Sequence, residues 1–141
     1  MNDDLLVLGS TGLLGSLICN LNKEAGRKVY AHSREEDNDY CADLYDVESI
    51  KYLLSKTMPS TIFNCAALAD VEKCEDMQSA YLGNVKIIDN LINAIRFIDI
   101  NPYLLNISTD HVYNSLGYAK EANVERSEER SVGKECRSRW S

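Results

Sequence analysis

The apolar residues of this chain fall into short runs that alternate with stretches of helical spacing. Leu5–Leu8 is a wholly apolar run, which is typical of a parallel strand buried on both faces. A helical pattern follows it through Leu21 and ends at Gly26, and a second strand is predicted over residues 28–32. The chain therefore opens with a predicted β-α-β unit.

The same rhythm continues to about residue 107. A helix with one apolar face is predicted before Pro59, a third strand over residues 61–65 and a fourth over 103–107. A long helix is predicted between these last two strands, and its apolar face comprises Val85, Ile88, Leu91, Ile92 and Ile95. Alternating strands and helices predict an α/β fold, a Rossmann-like doubly wound parallel sheet, truncated after about four strands.

Three evenly spaced glycines separate the first predicted strand from the first helix. The turn reads G-S-T-G-L-L-G over residues 9–15. Gly9 permits a sharp exit from the strand, Gly12 lets the backbone approach a pyrophosphate, and Gly15 lets the helix pack closely on the strand. The N–H groups at the start of the helix would then hold the phosphates. This spacing between a strand and a helix predicts dinucleotide binding, with Leu13 and Leu14 inside the binding turn.

The end of the second predicted strand bears on which dinucleotide is bound. An acidic residue there would hydrogen-bond the ribose 2′-OH of NAD. The chain instead has Ser33-Arg34, with Glu35 and Glu36 one step later. Because Arg34 can meet a 2′-phosphate, we expect NADP(H) to be favoured over NAD(H). A solvated loop arginine is the alternative interpretation of the same residue.

The composition restricts the classes of function that fit this pattern. The 141 residues suffice for one domain, and a net charge of −7 argues against nucleic acid as a partner. No apolar run reaches the roughly 18 residues of a membrane helix, and the acidic N-terminus is unlike a signal peptide. We therefore expect a cytoplasmic protein with no membrane partner. Five cysteines without a C-x-x-C pair, and two histidines without ligand-spaced partners, predict neither a disulfide framework nor a metal site.

The segment 126–141 differs from the rest of the chain. It holds four of the seven arginines and the only tryptophan, and it shows no apolar periodicity. Its string R-S-E-E-R-S-V-G-K-E-C-R-S-R-W-S resembles the translation of a sequencing-library adapter. We therefore predict an incomplete NAD(P)-binding Rossmann domain over residues 1–125 and an artefactual tail over 126–141. A genuine disordered tail and a functional basic segment are the alternatives.

Four further segments carry a family resemblance. Asp43-Leu44 precedes the second helix, residues 64–75 read N-C-A-A-L-A-D-V-E-K-C-E, Asn84 lies in the long helix, and residues 108–113 read S-T-D-H-V-Y. With the glycine turn, they resemble the extended short-chain dehydrogenase/reductases and, within them, the dTDP-4-dehydrorhamnose reductase family. Segment 64–75 is similar to the family's N-A-A-x-T-x-V-D-x-A-E signature. Segment 108–113 is similar to its S-T-D-Y-V-F, with His111 in place of the usual tyrosine.

The resemblance implies hydride transfer from a nicotinamide cofactor to the 4-keto group of a nucleotide-linked deoxysugar, as in dTDP-L-rhamnose biosynthesis. It implies that Thr109 is a catalytic residue that hydrogen-bonds the keto oxygen and that Asp110 contacts the nucleotide-sugar substrate. A homodimer is the candidate assembly of the full-length protein. The implied cofactor-binding residues beyond the glycine turn and Arg34 are Asp43, Leu44, Ala66, Ala67 and Leu68.

One catalytic motif of the family is missing from this chain. The family uses a Y-x-x-x-K pair to protonate the keto oxygen, and only Tyr52 and Lys56 have that spacing. They lie on the second predicted helix, so we interpret them as an ordinary helix face and expect this N-terminal fragment to be inactive. We also expect its fourth strand to be an exposed sheet edge. A nucleotide-sugar epimerase or dehydratase is one alternative, and a non-catalytic NADP-binding regulatory subunit, resembling the methionine adenosyltransferase β subunit, is another.

Overall fold

The computed structural model describes residues 3–34, 40–68 and 76–108. Its elements, in chain order, are β1 (Leu5–Leu8), α1 (Leu13–Glu24), β2 (Val29–Ser33), β3 (Tyr40–Cys41), α2 (Val47–Thr57), β4 (Thr61–Asn64), α3 (Met77–Tyr81), a π-helical segment (Leu82–Lys86), α4 (Ile87–Ile98) and β5 (Tyr103–Asn106). The described residues up to Ala67, together with Ile88–Ile107, belong to one compact unit, and those of Leu68–Ile87 belong to a second. None of the described helices is long and apolar enough to span a bilayer.

Five parallel strands form the sheet, in the order β3-β2-β1-β4-β5. This order is that of the Rossmann fold, so the predicted fold class is confirmed. In register, Leu5 pairs with Val29 on one side and with Thr61 on the other. The predicted number of about four strands is one too low, because the short strand β3 pairs with the end of β2. A strand of two residues is too short to show an alternating or apolar pattern, so no local signal indicated it.

The helices lie on both faces of the sheet. Successive side chains of a strand point to opposite faces, so Leu5 and Val7 share one face while Leu6 and Leu8 share the other. The chain moves across the sheet in one direction from β1 to β2, and in the other direction from β3 to β4 and from β4 to β5. Because such connections are right-handed, α1 lies on the first face, and α2 and α4 lie on the second. All four β1 side chains are almost fully buried. Each such leucine contributes about 1.5–3 kcal/mol of hydrophobic stabilisation.

The α1 helix packs on its face of the sheet through one side of the helix. Cys19 packs with Leu5, Val7 and Ala31 in one apolar cluster, and Gly15 of the same helix is also buried. Leu17 and Leu21, which belong to the predicted helical pattern, are instead more than half exposed. Ile18 of α1 packs against the same cluster, so the helix contacts the sheet through residues 15, 18 and 19.

The second helix begins and ends where the sequence predicts. The Asp46 side chain caps its first turn by accepting hydrogen bonds from the Glu48 and Ser49 N–H groups, at 3.1 and 3.3 Å. Met58 follows the last turn with a left-handed φ of 40°, and Pro59 prevents the helix from continuing. The predicted helix before Pro59 is confirmed.

The buried face of the long helical region differs from the predicted one. Of the residues predicted for that face, only Leu91 is fully buried, and the buried α4 residues are Ile87, Asn90, Leu91 and Ala94. Of the predicted residues only Val85 lies in the π-helical segment, where the wider turn interrupts the 3.6-residue period, and the predicted α4 residues other than Leu91 are half-buried. Asn90 was not predicted to be buried, because a pattern based on apolar residues leaves out every polar residue.

Candidate functional site

The candidate site lies at the carboxyl ends of β1 and β4. The strand order reverses between these two neighbours, since the chain passes from β1 toward β2 on one side and from β4 toward β5 on the other. Open parallel sheets bind ligands in the crevice at such a reversal. Gly9 follows β1 there, and Ala66 and Ala67 follow β4.

Two glycines of the turn are required by the packing of the chain itself. Gly9 has a φ of +74°, and a Cβ at this position would lie 2.9 Å from the Ala66 N atom. A Cβ at Gly15 would lie 2.2 Å from the Gly9 carbonyl oxygen, in the middle of the turn. Both positions therefore exclude any side chain, as the predicted roles of a sharp exit and of close helix packing require.

Gly12 differs from the other two glycines. Among the described residues, a Cβ at Gly12 would meet only the Gly9 carbonyl oxygen, at an ordinary contact distance of 3.4 Å. Gly12 is also exposed and has an extended backbone, with a φ of −71°. The internal packing described by the structure thus does not explain a glycine here, whereas a ligand that approaches the main chain would.

The N-terminus of α1 points its first N–H groups out of the helix. The first bond within the helix runs from the Ser16 N–H to the Gly12 carbonyl at 2.9 Å, so the N–H groups of residues 13–15 precede it. No described side chain caps this end, and its first turn holds no acidic residue. Leu13 is 92% exposed and Leu14 is 42% exposed. An anion at this end would meet uncapped donors and the positive end of the helix dipole.

The main chain around the turn is tied to both neighbouring strands. The Ser10 N–H donates to the His32 carbonyl at 2.9 Å, and the Cys65 N–H donates to the Leu8 carbonyl at 3.0 Å. These bonds continue the pairing of the sheet beyond the ends of the strands. They give the turn a fixed position relative to β2 and β4.

Arg34 and Asp43 lie at the same end of the sheet as the glycine turn. Arg34 directly follows β2 and is exposed. Asp43 follows β3 and is also exposed, and its Oδ1 atom accepts a hydrogen bond from the Tyr45 N–H at 2.9 Å. Leu44 is only 4% exposed, so its side chain belongs to the core. A ligand beside this segment would meet the Asp43 side chain and the main chain of Leu44.

Asn64 shapes the turn after β4. Its buried side chain donates from Nδ2 to the Asn106 Oδ1 atom of β5, at 2.8 Å, and accepts at Oδ1 from the Ala66 N–H, at 3.3 Å. The chain then leaves the strand with Ala66 half-buried and Ala67 exposed. Small side chains at these two positions leave the main chain accessible to a flat ring.

Leu68 and Asn84 meet within the second compact unit. The Asn84 Oδ1 atom accepts from the Leu68 N–H at 2.9 Å, and its Nδ2 atom donates to the Leu68 carbonyl at 3.4 Å. Gly83 is the close neighbour of this pair, since a Cβ there would lie 2.5 Å from the Leu68 Cβ atom. Both Gly83 and Asn84 belong to the π-helical segment, and such segments are frequent at functional sites.

Several predicted residues lie outside the described part of the chain. These are the predicted catalytic Thr109, the predicted substrate contact Asp110, residues 69–75 of the segment 64–75, and the tail 126–141.

Tyr52 and Lys56 are described, and they lie together on the surface of α2. The Lys56 Nζ atom is 5.3 Å from the centre of the Tyr52 ring, and Tyr52 is 66% exposed. This arrangement agrees with their interpretation as an ordinary helix face.

The described thiols and carboxylates offer little further chemistry. Burial raises the pKa of the Cys19 and Cys65 thiols, so neither is poised as a thiolate nucleophile. Within residues 3–34, 40–68 and 76–108, no three His, Cys, Asp or Glu side chains come together as metal ligands. Apart from the exposed Arg34 and Asp43, the described site therefore offers main-chain donors and small side chains.

Two buried polar residues at the site were assigned no role from the sequence. His32 of β2 is 1% exposed, and Asn90 of α4 is 4% exposed. Burial lowers the pKa of His32, so its imidazole is neutral at neutral pH. The one signal in the sequence for the burial of Asn90 is its spacing, because it lies three residues after Ile87 and four before Ala94 and therefore on the same side of the helix.

One known family matches almost the whole chain. The family model described as the RmlD substrate binding domain matches residues 2–140. This match extends into the segment 126–141 that the composition sets apart.

Two curated bacterial proteins align with most of the chain. The spore coat polysaccharide biosynthesis protein SpsK of Bacillus subtilis (strain 168) is 32% identical over 114 residues, which cover 80% of this chain and 38% of that protein. The dTDP-4-dehydrorhamnose reductase of Escherichia coli is 27% identical over 117 residues, which cover 81% of this chain and 37% of that protein. This chain therefore spans less than two fifths of the length of either relative.

Solved structures share the fold. A hypothetical dTDP-4-dehydrorhamnose reductase from Sulfolobus tokodaii is 30% identical, with a TM-score of 0.76 over 94% of this chain and 49% of that one. The Bacillus anthracis dTDP-4-dehydrorhamnose reductase in complex with NADP gives a TM-score of 0.67 at 22% identity, covering 80% of this chain and 38% of that one. The Thermus thermophilus UDP-glucose 4-epimerase in complex with NAD gives 0.76 at 22% identity, covering 94% and 47%. At 22% identity, the last two show the shared fold alone.

Proposed function

Because this chain belongs to the family of the RmlD substrate-binding domain, we propose that it binds a nicotinamide dinucleotide and forms the cofactor-binding part of a reductase. The proposed substrate is a nucleotide-linked 4-keto-deoxysugar, since the Escherichia coli relative is a dTDP-4-dehydrorhamnose reductase. When bound, the dinucleotide supplies the hydride that reduces such a keto group. This chain covers 37% of that relative, and the proposal assigns it the cofactor rather than the whole substrate site.

The observation that carries this proposal is the space at Gly12. The described packing leaves room for a Cβ at Gly12, yet the position is occupied by glycine and lies directly before an uncapped helix N-terminus. A pyrophosphate that binds at such an end needs the backbone bare at this position. The residues of the sheet thus fit the group, with Gly9 and Gly15 building the turn and Gly12 facing the phosphates.

The remaining cofactor contacts follow from the position of each residue. We assign the 2′-phosphate of NADP to Arg34, which is exposed just beyond β2, and the adenosine to Asp43 and the main chain of Leu44. Ala66, Ala67 and Leu68 follow β4 and would border the dinucleotide on its other side. The Bacillus anthracis structure contains NADP and the Thermus thermophilus epimerase structure contains NAD, so together they support a nicotinamide dinucleotide without favouring either form.

The catalytic assignments concern residues outside the described ranges. Thr109 would hydrogen-bond the keto oxygen and Asp110 would contact the substrate, as the resemblance implies. A proton donor is still needed, and the one Tyr-x-x-x-Lys pair of this chain is the exposed Tyr52 and Lys56 of α2. We therefore propose that this chain by itself binds the cofactor without turning over substrate.

Calorimetric titration with NADP⁺ and NAD⁺ tests the proposal. In Gly12→Ala the new methyl group fits the described packing but occupies the space assigned to the pyrophosphate, so we expect the affinity for both dinucleotides to fall at least about tenfold. Ser16→Ala is the matched control one turn further along α1, where only an exposed hydroxyl contact to Leu13 is lost. Wild-type protein that binds neither dinucleotide, or Gly12→Ala protein that binds both as tightly as wild type, would contradict the proposal.

The same titration tests the preference for NADP(H). Because Arg34 is assigned to the 2′-phosphate, Arg34→Ala should weaken NADP⁺ binding by about tenfold and leave NAD⁺ binding unchanged. Equal affinity of the wild type for the two dinucleotides would identify Arg34 as a solvated loop residue.

A further inference from the structure

Four residues between β3 and the Asp46 cap of α2, Ala42–Tyr45, form what we term the adenosine rim. This short segment carries Asp43, the exposed carboxylate assigned to the adenosine half of the cofactor. Local hydrogen bonds form a turn around Asp43, since its Oδ1 atom accepts from the Tyr45 N–H and its carbonyl accepts from the Asp46 N–H. The two ends of the segment are held by side chains of other elements.

His32 holds the start of the adenosine rim. Its Nε2 atom lies 2.9 Å from the Ala42 carbonyl oxygen, and because a carbonyl only accepts, Nε2 carries the proton. No hydrogen-bond partner for the Nδ1 atom is found among the described residues. This almost fully buried imidazole therefore acts on the rim through one nitrogen.

Asn90 holds the end of the adenosine rim from the other side. Its Nδ2 atom donates to the Leu44 carbonyl at 3.1 Å and to the Tyr45 carbonyl at 3.0 Å. Both amide hydrogens of this buried side chain are thus used on two consecutive carbonyls, more than forty residues away in sequence. An apolar side chain of the same size would fill the core equally well but would leave both carbonyls unpaired.

The rest of the rim is paired locally. The Asp43 carbonyl accepts from the Asp46 N–H at 3.1 Å, and the Asp43 N–H donates to the Ser49 hydroxyl at 3.0 Å. Every carbonyl from Ala42 to Tyr45 therefore has a donor, and three of the four donors come from His32 and Asn90. The segment that presents Asp43 is fixed at both ends before any ligand arrives.

We propose that His32 and Asn90 are positioning residues that fix the adenosine rim and thereby pre-organise Asp43 for the adenosine half of the cofactor. The proposal rests on the proposed function, because it assumes that a dinucleotide binds at this end of the sheet. Neither side chain touches the ligand. Each lowers the cost of binding by removing the need to order a loop when the ligand arrives.

The histidine offers a sharp test because only one of its nitrogens is used. The terminal amide nitrogen of glutamine reaches the position of Nε2, whereas that of asparagine reaches the position of the unpartnered Nδ1. We expect His32→Gln to keep NADP⁺ affinity within about threefold of wild type and His32→Asn to lose about tenfold, the effect of one buried hydrogen bond. Because asparagine is also smaller than histidine, lost packing would rank the two variants in the same order, so amide hydrogen exchange at the rim is needed to separate the two explanations.

Asn90→Leu removes both donors while keeping a branched side chain of four heavy atoms, and it should weaken NADP⁺ binding by at least about tenfold. Asn90→Ser serves as the second variant if the leucine variant does not fold, because the serine hydroxyl is one atom too short to reach the two carbonyls. The rate of amide hydrogen exchange at residues 43–46 measures how firmly the rim is held, and it does so without any ligand. Exchange there should accelerate in His32→Asn and in the Asn90 variants, and it should stay unchanged in β1 and α1.

A double variant shows whether His32 acts through Asp43. Once Asp43→Ala has removed the presented carboxylate, His32→Asn should weaken NADP⁺ binding no further. Full additivity of the two losses, or unchanged NADP⁺ affinity in folded His32→Asn and Asn90→Ser proteins, would overturn the positioning role.

If wild-type protein binds neither NADP⁺ nor NAD⁺, the proposed function fails and the adenosine role fails with it. Faster exchange at residues 43–46 in the variants would then still identify the two side chains as purely structural supports.

Discussion

His32, Asn64 and Asn90 each bury a polar side chain near the carboxyl ends of the strands. Each hydrogen-bonds a group far away in sequence, such as the Asn106 side chain for Asn64 and the Leu44 carbonyl for Asn90. A polar residue in an apolar strand or helix is ordinarily expected to face water, because burial without a partner is costly. The partners become neighbours only in the folded sheet, so single-residue patterns in the sequence could not reveal these roles.

The glycine turn was predictable at the same scale because its requirements are local. Gly9 needs a positive φ, and Gly15 needs contact between helix and turn, and both follow from a strand that leads directly into a helix. Arg34 was predicted by its place after the second strand and Asp43 by the family resemblance, and the structure shows both exposed at the same end of the sheet. Their contacts with a cofactor stay predictions.

The buried imidazole of His32 makes stability depend on pH. Burial lowers its pKa below the ordinary 6.5, so below about pH 6.5 the unfolded chain binds a proton that the folded chain does not. Above about pH 6.5 the histidine is neutral in both states and does not change the free energy of unfolding with pH. Below pH 6.5 the free energy of unfolding falls as the pH drops, by at most about 1.4 kcal/mol per pH unit. Urea unfolding at pH 7.5, 6.5 and 5.5 measures the slope.

His32→Gln is the control for that experiment, because it keeps a donor to Ala42 without titrating. The difference in unfolding free energy between wild type and His32→Gln should be constant above pH 6.5 and should shift against the wild type below it. Parallel curves through pH 5.5 would show that His32 is protonated as readily in the folded state as in the unfolded one.

At the scale of elements, short-range signals predicted most of the sheet. β1 was predicted with its observed bounds, and β2, β4 and β5 lie within one residue of the predicted strands. These strands are apolar runs bounded by turn residues, so local pattern suffices. β3 was missed because it has two residues, and its pairing with His32 and Ser33 depends on the neighbouring strand.

The helices show where a periodic pattern stops being sufficient. α2 has a polar cap, an apolar face and a terminating proline, and all three act within one segment. The buried face of α4 was predicted in part, since Leu91 is buried and the other predicted α4 residues are half-buried, whereas Asn90 is buried through its hydrogen bonds. A local departure from α-helical geometry is invisible to a fixed 3.6-residue period.

The Asp46 cap should make a measurable contribution to stability. Asp46→Ala removes the acceptor for the Glu48 and Ser49 N–H groups and should lower the free energy of unfolding by about 1 kcal/mol. Asp46→Asn is the matched control, because asparagine caps helices comparably well. Urea unfolding midpoints of the two variants should differ, and equal midpoints would show that the cap bonds contribute nothing.

At the scale of the whole molecule, β5 is the last strand of the described sheet. Its residues Tyr103 and Asn106 are exposed, and Tyr103 is 71% exposed. A strand edge of this kind, with apolar neighbours and no charge of its own, is a template for pairing with another chain. The predicted exposed edge is thus found among the described residues.

We therefore expect the chain to self-associate as its concentration rises. Tyr103→Lys places a charge on this edge and should reduce association, whereas Tyr52→Lys on the exposed surface of α2 is a matched control that should not. Sedimentation velocity over a concentration series measures both. A monomeric wild type at high concentration, or an equal effect of the two substitutions, would show that β5 is not the interface.

The central claim is that a dinucleotide binds at the carboxyl ends of β1 and β4. The most direct test is an NMR titration of the backbone amides with NADP⁺. The account predicts that the largest shifts fall on three segments, residues 10–15, 43–45 and 65–67, while the opposite end of the sheet, including residues 60–61, stays unchanged. Shifts confined to other residues, or no saturable shifts at all, would contradict it.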